Sequence, residues 1–237
     1  MTEGEWVRCS DPFRMLEDLR GRASERKLRL FACACCRRVW HLLTTDYRTA
    51  VEAAERFADG LIAWDGLAAV AGTLPHPACA SDGAVEDACT AARATCAESG
   101  WDAATVACEA AGCAAWTEKG FLAAEGDAEF SHHCRLLQDL FGNPFRPAPR
   151  LDPAWLSWSG GAVPNLARVI YEHHSFDSMP LLAEALGRAG CTNPNLLAHC
   201  HPSVDHVRGC WVLDLMLTAC ITPSPAVKVR KIGRPAG

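Results

Sequence analysis

Residues 83–118 read GAVEDACTAARATCAESGWDAATVACEAAGCAAWTE, and this stretch decides the fold class. It is rich in alanine and poor in β-branched residues, so helix propensity is high across the whole window and strands are disfavoured. Val85, Cys89, Ala92 and Cys96 recur at helical spacing. Gly100 interrupts the run, and Trp101-Asp102 restarts it, with Asp102 expected as the cap and Trp101 packed on Val106 as a hydrophobic staple. The small Ala, Cys and Gly side chains predict an αα-hairpin whose two axes approach closely.

The same reading extends upstream. Ser24 is expected to cap a helix reaching about Leu43, with Leu28, Phe31, Ala32, Cys35, Val39 and Leu42 on one stripe and Cys36, Trp40 and Leu43 on another. A helix apolar on two sides belongs in the centre of its domain, which leaves Arg26, Arg29 and Arg37 to solvent or to acidic neighbours. Asp11-Pro12 reads as an N-cap with proline at the first helical position, and Gly21 as the end of that helix. A further helix is expected over 46–58, and Trp64-Asp65 offers another start. Downstream, a helix over 127–140 runs into FGNPFRPAP, residues 141–149, where the prolines break regular structure. Helices are expected again over 164–174, 177–188, 193–200 and 207–217. The predicted fold is all-α: a multi-helix bundle over 1–141, a Pro/Trp-rich linker over 142–160 packed on the helices, a smaller helical subdomain over 161–219 and a mobile basic tail over 220–237.

With 237 residues the chain can bury a sizeable core. Its fourteen cysteines would suggest a disulfide scaffold in a short secreted chain, but the N-terminus MTEGEWVRCSDPFRMLEDLR is charged throughout and has no apolar signal core. No apolar run approaches the roughly 20 residues of a membrane span. The expectation is a cytoplasmic protein with reduced thiols serving as core fillers, metal ligands or reactive groups. The net charge of −5 is spread as +3 over 1–48, −11 over 49–130 and +3 over 131–237. An acidic middle between mildly basic ends weakens nucleic acid as the main partner, which would want one dominant basic face.

Two blocks, KLRLFACACCRRVWHLL near the N-terminus and AGCTNPNLLAHCHPSVDHVRGCWVLDLML near the C-terminus, resemble an uncharacterised bacterial family of planctomycete type. FGNPFRP and YEHHSFDSMPLLAEALGRAG lie between them, and HVRGCWVLDL is the most specific part. The resemblance implies a bacterial protein. It carries no established activity and transfers no catalytic role to any residue.

The sharpest candidate for chemistry is the set Cys191, His199, Cys200, His206 and Cys210, because thiolates and imidazoles are the ligands of tetrahedral zinc sites. If 207–217 is helical, the spacing of four puts His206 and Cys210 on one helix face, with Cys200 approaching from the turn before it and Cys191 or His199 as a fourth ligand. The set lacks a paired Cys-x-x-Cys, and buried cysteine is also an ordinary small hydrophobe. Cys33 and Cys36 have redox spacing but sit mid-helix, away from the dipole end that lowers a thiol's pKa. His132-His133 and His173-His174 are tandem pairs pointing about 100° apart on a helix, so surface or half-buried polar roles are expected. Cys200 with His206 would be a nucleophile and base, without an oxyanion-forming Gly motif. Phosphate loop and Rossmann fingerprints are absent from the sequence. The terminal LysValArgLysIleGlyArgPro partly resembles a minor-groove arm, which leaves nucleic-acid contact through the tail as a lesser alternative.

These readings predict a helical binding or scaffold module without catalysis, with a zinc ion in 191–210 and another protein as partner. The alternative is a metal- or cysteine-dependent hydrolase.

Overall fold

The computed structural model describes residues 1–77, 82–120, 123–201 and 204–221, with helix α8 described by its backbone alone over 123–127 and helix α13 over 219–221. The basic tail and Cys79 lie outside the described residues. Among the described residues there are thirteen α-helices and no strand, the all-α class that the alanine-rich core predicts. They are α1 (Glu3–Arg8), α2 (Pro12–Leu19), α3 (Glu25–Arg38), α4 (Thr45–Ala58), α5 (Trp64–Thr73), α6 (Gly83–Ala94), α7 (Gly100–Glu118), α8 (Ala123–Phe141), α9 (Pro153–Ser157), α10 (Ala162–His173), α11 (Met179–Arg188), α12 (Pro194–His199) and α13 (Trp211–Ile221). None of them is long and apolar enough to cross a membrane. No disulfide joins the described cysteines.

Contacts divide the chain into two units. The first is Met1–Ala148 with Pro202–Trp211, and the second is Pro149–His201 with the chain from Val212 onward.

In the first unit α3 is central. Ser24 caps it through Lys27 N, and Phe31, Ala32, Cys35 and Cys36 on it are fully buried. It packs on α4, α6, α7 and α8, as a helix apolar on two sides must. The helix ends at Arg38 rather than near Leu43, and a single 3-10 turn over Trp40–Leu42 follows. The α6–α7 hairpin forms as expected, with alanines and Cys108 facing inward at full burial. Its second helix begins one cap earlier than predicted. Ser99 accepts from Trp101 N and Asp102 N, so Asp102 lies in the first turn and the expected Trp101–Val106 staple does not form from a cap at Asp102. Gly100 starts the helix behind the Ser99 cap instead of breaking it, and only glycine fits there, since a β-carbon would lie 2.7 Å from the backbone carbonyl of Glu25.

Arg29 corrects a second expectation. It is almost wholly buried and donates to the carbonyls of Thr95, Ala97 and Glu98, which close the C-terminal end of α6. Arg26 and Arg37 do take acidic neighbours, Asp59 and Glu55.

In the second unit α10 packs on α9 and α11, and α11 packs on α12. Asp152 caps α9 and Asn193 caps α12, each ahead of a proline at the first helical position. Gly190, at φ +92°, follows α11 in the left-handed region.

Candidate metal centres

The segment from Asp205 to Cys210 was expected to enter a helix at residue 207, yet α13 starts at Trp211. The cause is Gly209. Its φ is +87°, and a β-carbon on it would lie 2.6 Å from Leu30 Cδ1 and 2.9 Å from Leu140 Cδ2. Only glycine fits a left-handed backbone pressed onto two core leucines, and that backbone cannot belong to a right-handed helix. A turn results, closed by Cys210 N donating to Val207 O.

Neighbouring helices fix this turn. Asp139, fully buried on α8, accepts from Val207 N through one carboxylate oxygen at 3.0 Å, and its other oxygen lies 2.8 Å from His206 Nδ1. Cys210 Sγ lies 3.8 Å from the same nitrogen. Arg208 bonds Asp59, which also holds Arg26, and Lys27 donates to the carbonyls of Leu140 and Gly209. His206 and Cys210 therefore do converge, but through a turn and not along a helix face. The ligand sequence reasoning missed is Asp139, which no spacing ties to residue 206. Of the remaining predicted ligands, Cys191, His199 and Cys200 belong to the second unit: Cys191 follows α11, His199 ends α12, and Cys200 is its C-cap.

A second constellation lies in the helical interior of the first unit. Cys35 on α3, Cys108 on α7 and His133 on α8 are each fully buried, and their ligand atoms lie within 4.8 Å of one another. Cys108 Sγ is 3.4 Å from His133 Nδ1. On the far edge of the ring, His133 Nε2 lies 3.3 Å from Glu129, one helical turn earlier. Glu129 takes a two-point ion pair from Arg38. Phe31 and Phe130 meet the imidazole edge-on, with centroids at 6.3 and 5.9 Å. His133 is thus a core residue, contrary to the surface or half-buried role expected for the tandem pair.

The electrostatics are strongly coupled. A hydrogen bond with Cys35 and a second with His133 bring the Cys108 thiol down to about 6 against the cost of burial. Burial pushes Cys35 well up. Burial would lower His133, but its contact with Cys108 and the neighbouring Glu129 carboxylate outweigh that and raise it. Burial would likewise raise Glu129, and His133 and Arg38 more than reverse this, holding it well below the usual carboxylate range. Cys33 and Cys36 are pushed up by burial, so the Cys-x-x-Cys spacing yields no activated thiol.

Both constellations are cysteine and histidine groups able to hold a metal ion. A detectable signal existed for the second. Glu129, His133, Leu136, Leu137 and Leu140 share the apolar stripe of α8, and a charged pair inside such a stripe needs a buried partner. No family profile, curated protein or solved structure matches the chain.

Proposed function

We propose that the chain is a helical binding module without chemistry of its own, whose 205–210 turn is fixed by a structural zinc ion on Asp139, His206 and Cys210. The observation that carries this reading is the convergence of carboxylate, imidazole and thiol at 2.8 and 3.8 Å in one buried spot. Zinc takes all three donor types at about 2.0–2.3 Å, which sets tetrahedral edges of about 3.4–3.6 Å. From 3.8 Å the Cys210 contact closes by about 0.2–0.4 Å to reach that geometry, while from 2.8 Å the Asp139 contact opens by about 0.6–0.8 Å, and a further donor completes the four. The ion would tie the turn to α8, as structural zinc does in small loop-rich segments.

The test is elemental analysis of full-length protein purified without a metal-affinity tag. The expected result is zinc near one equivalent, lost in His206→Ala and Cys210→Ser together with a lower melting temperature. A metal-free wild type whose stability neither variant changes removes the zinc. Another protein is the partner class that goes with this reading, since Val7 and Leu61 in the first unit and Val169 and Leu181 in the second are exposed apolar side chains. Cross-linking in cell lysate that maps no protein to either unit would count against it.

A hydrolase reading has one specific observation in its favour: Cys108, His133 and Glu129 line up as thiol, imidazole and orienting carboxylate. A substrate has to touch the nucleophile, and here thiol and imidazole are both sealed from solvent. The binding reading is the better supported.

A further inference from the structure

The geometry points to a second metal site, independent of the zinc proposal: Cys35, Cys108 and His133 form a closed, three-coordinate site for a soft monovalent cation, copper(I). Packing alone does not account for this constellation. An apolar side chain of similar volume, such as leucine or methionine, would fill the place of His133 beside Phe31 and Phe130 without importing an imidazole, a carboxylate and a guanidinium into the interior.

The orientation of the ring is the informative feature. One nitrogen is turned to the thiols and the other to a carboxylate that is itself anchored by an arginine. Metal-bound histidines carry such an outer carboxylate, which fixes the tautomer and strengthens the donor nitrogen; here the carboxylate stands at ion-pair distance and Nε2 is otherwise unpartnered in the interior. The three ligands come from three different helices of a bundle interior, a common place for metal sites.

Donor number and type select the ion. Two thiolates and one imidazole are soft donors, which favour copper(I) and zinc over magnesium, calcium or manganese. Zinc takes four ligands in structural sites and water or substrate in the fourth place of open ones. Among the described residues no fourth His, Cys, Asp or Glu ligand joins the three, and the site is closed to bulk water. Copper(I), a closed-shell ion with little demand for further ligands, is satisfied by three. Binding releases to solvent the protons still held by the two thiols and by the imidazole nitrogen facing them, and changes no oxidation state.

The test is anaerobic titration of reduced full-length protein with copper(I) against a chromophoric copper(I) chelator, followed by X-ray absorption at the copper edge. Wild type is expected to withdraw one equivalent from the chelator, with two sulfur and one nitrogen neighbours. Cys35→Ser and Cys108→Ser should lose that equivalent while retaining helical circular dichroism, and Cys36→Ser, a buried thiol on the same helix, should keep it. Glu129→Gln, which keeps the size of the side chain, should weaken the tight equivalent by about 10–100-fold. Since serine in the core risks misfolding, this Gln variant carries the test if either Ser variant unfolds. A wild type that withdraws no copper overturns the site, as does an equivalent untouched in Cys108→Ser or, should that fold fail, in Glu129→Gln. A four-coordinate zinc ion lost in Cys108→Ser but kept in His206→Ala overturns the choice of copper. Failure of the His206 zinc changes none of these outcomes.

Discussion

The two constellations in the first unit use the same side-chain chemistry and are built in opposite ways. Cys35, Cys108 and His133 stand on the interiors of three helices, so their positions follow from packing of α3, α7 and α8. His206 and Cys210 stand on a turn that has no regular structure, and their positions follow from specific polar bonds to Asp139, Asp59 and Lys27. The first is held by the fold. The second is held onto it. The difference implies that disturbing the first should cost global stability, whereas disturbing the second should open a local segment.

The strongest way to break this contrast is Glu129→Ala, which leaves Arg38 charged and His133 without its carboxylate in the interior. The expected loss is about 3–5 kcal/mol in urea unfolding, the range for removing one partner of a buried ion pair. The pH dependence has a definite sign. Glu129 titrates lower in the folded chain than the ordinary carboxylate value of 4.5, so its contribution is complete above pH 4.5 and is lost as pH falls below that value towards the folded one. The stability gap between wild type and variant should therefore narrow in acid below pH 4.5, and also shrink above neutral pH as His133, held protonated longer by Glu129, loses its proton. A gap that stays constant down to pH 3 would remove the carboxylate's charge from the explanation.

Gly209→Ala comes next, at about 2–3 kcal/mol, because the added β-carbon meets Leu30 and Leu140 and the backbone is left-handed. If hydrogen exchange shows the loss confined to 205–210, the turn is a local unit. If the whole first unit weakens, turn and bundle unfold together and the contrast fails.

Gly112→Ala sharpens the comparison from the other side. A β-carbon there would lie 2.5 Å from the ring of Phe130, which packs against His133. A cost of about 1–3 kcal/mol is expected from overpacking, together with a changed imidazole resonance in NMR spectra. An unmoved His133 signal would mean that Phe130 yields without disturbing the site. The smallest effect is expected from Asp139→Asn, at about 1 kcal/mol. Faster exchange at the Val207 amide and little change at α3 amides would match a turn held locally.

Much of the helical skeleton was legible from caps. Asp11 and Ser24 each accept from the first-turn amides as their side chains predict. Reading failed where distant contacts decide. Nothing local to residues 205–210 announces that Gly209 is wedged against Leu30 and Leu140, so the apolar spacing from Val207 looked like a helix start. The same holds for Arg29, whose position on α3 suggested solvent and whose partners lie at Thr95, Ala97 and Glu98. For the sites, two residues of the turn set, His206 and Cys210, were visible because cysteine and histidine stood close in sequence. Asp139 and Cys108 were not, and Cys35 and His133 were given bland roles, because their meeting is a product of bundle packing.

Arg29 also bears on modularity. The link between α6 and α7 takes its shape from a guanidinium supplied by α3, and Gly100 at its far end rests against the backbone of Glu25 on the same helix. The alanine-rich hairpin therefore lacks an autonomous corner. An excised peptide covering residues 83–118 would keep its helix-forming composition and lose the brace that sets the angle between its arms, so grafting it onto another scaffold requires transplanting the start of α3 with it.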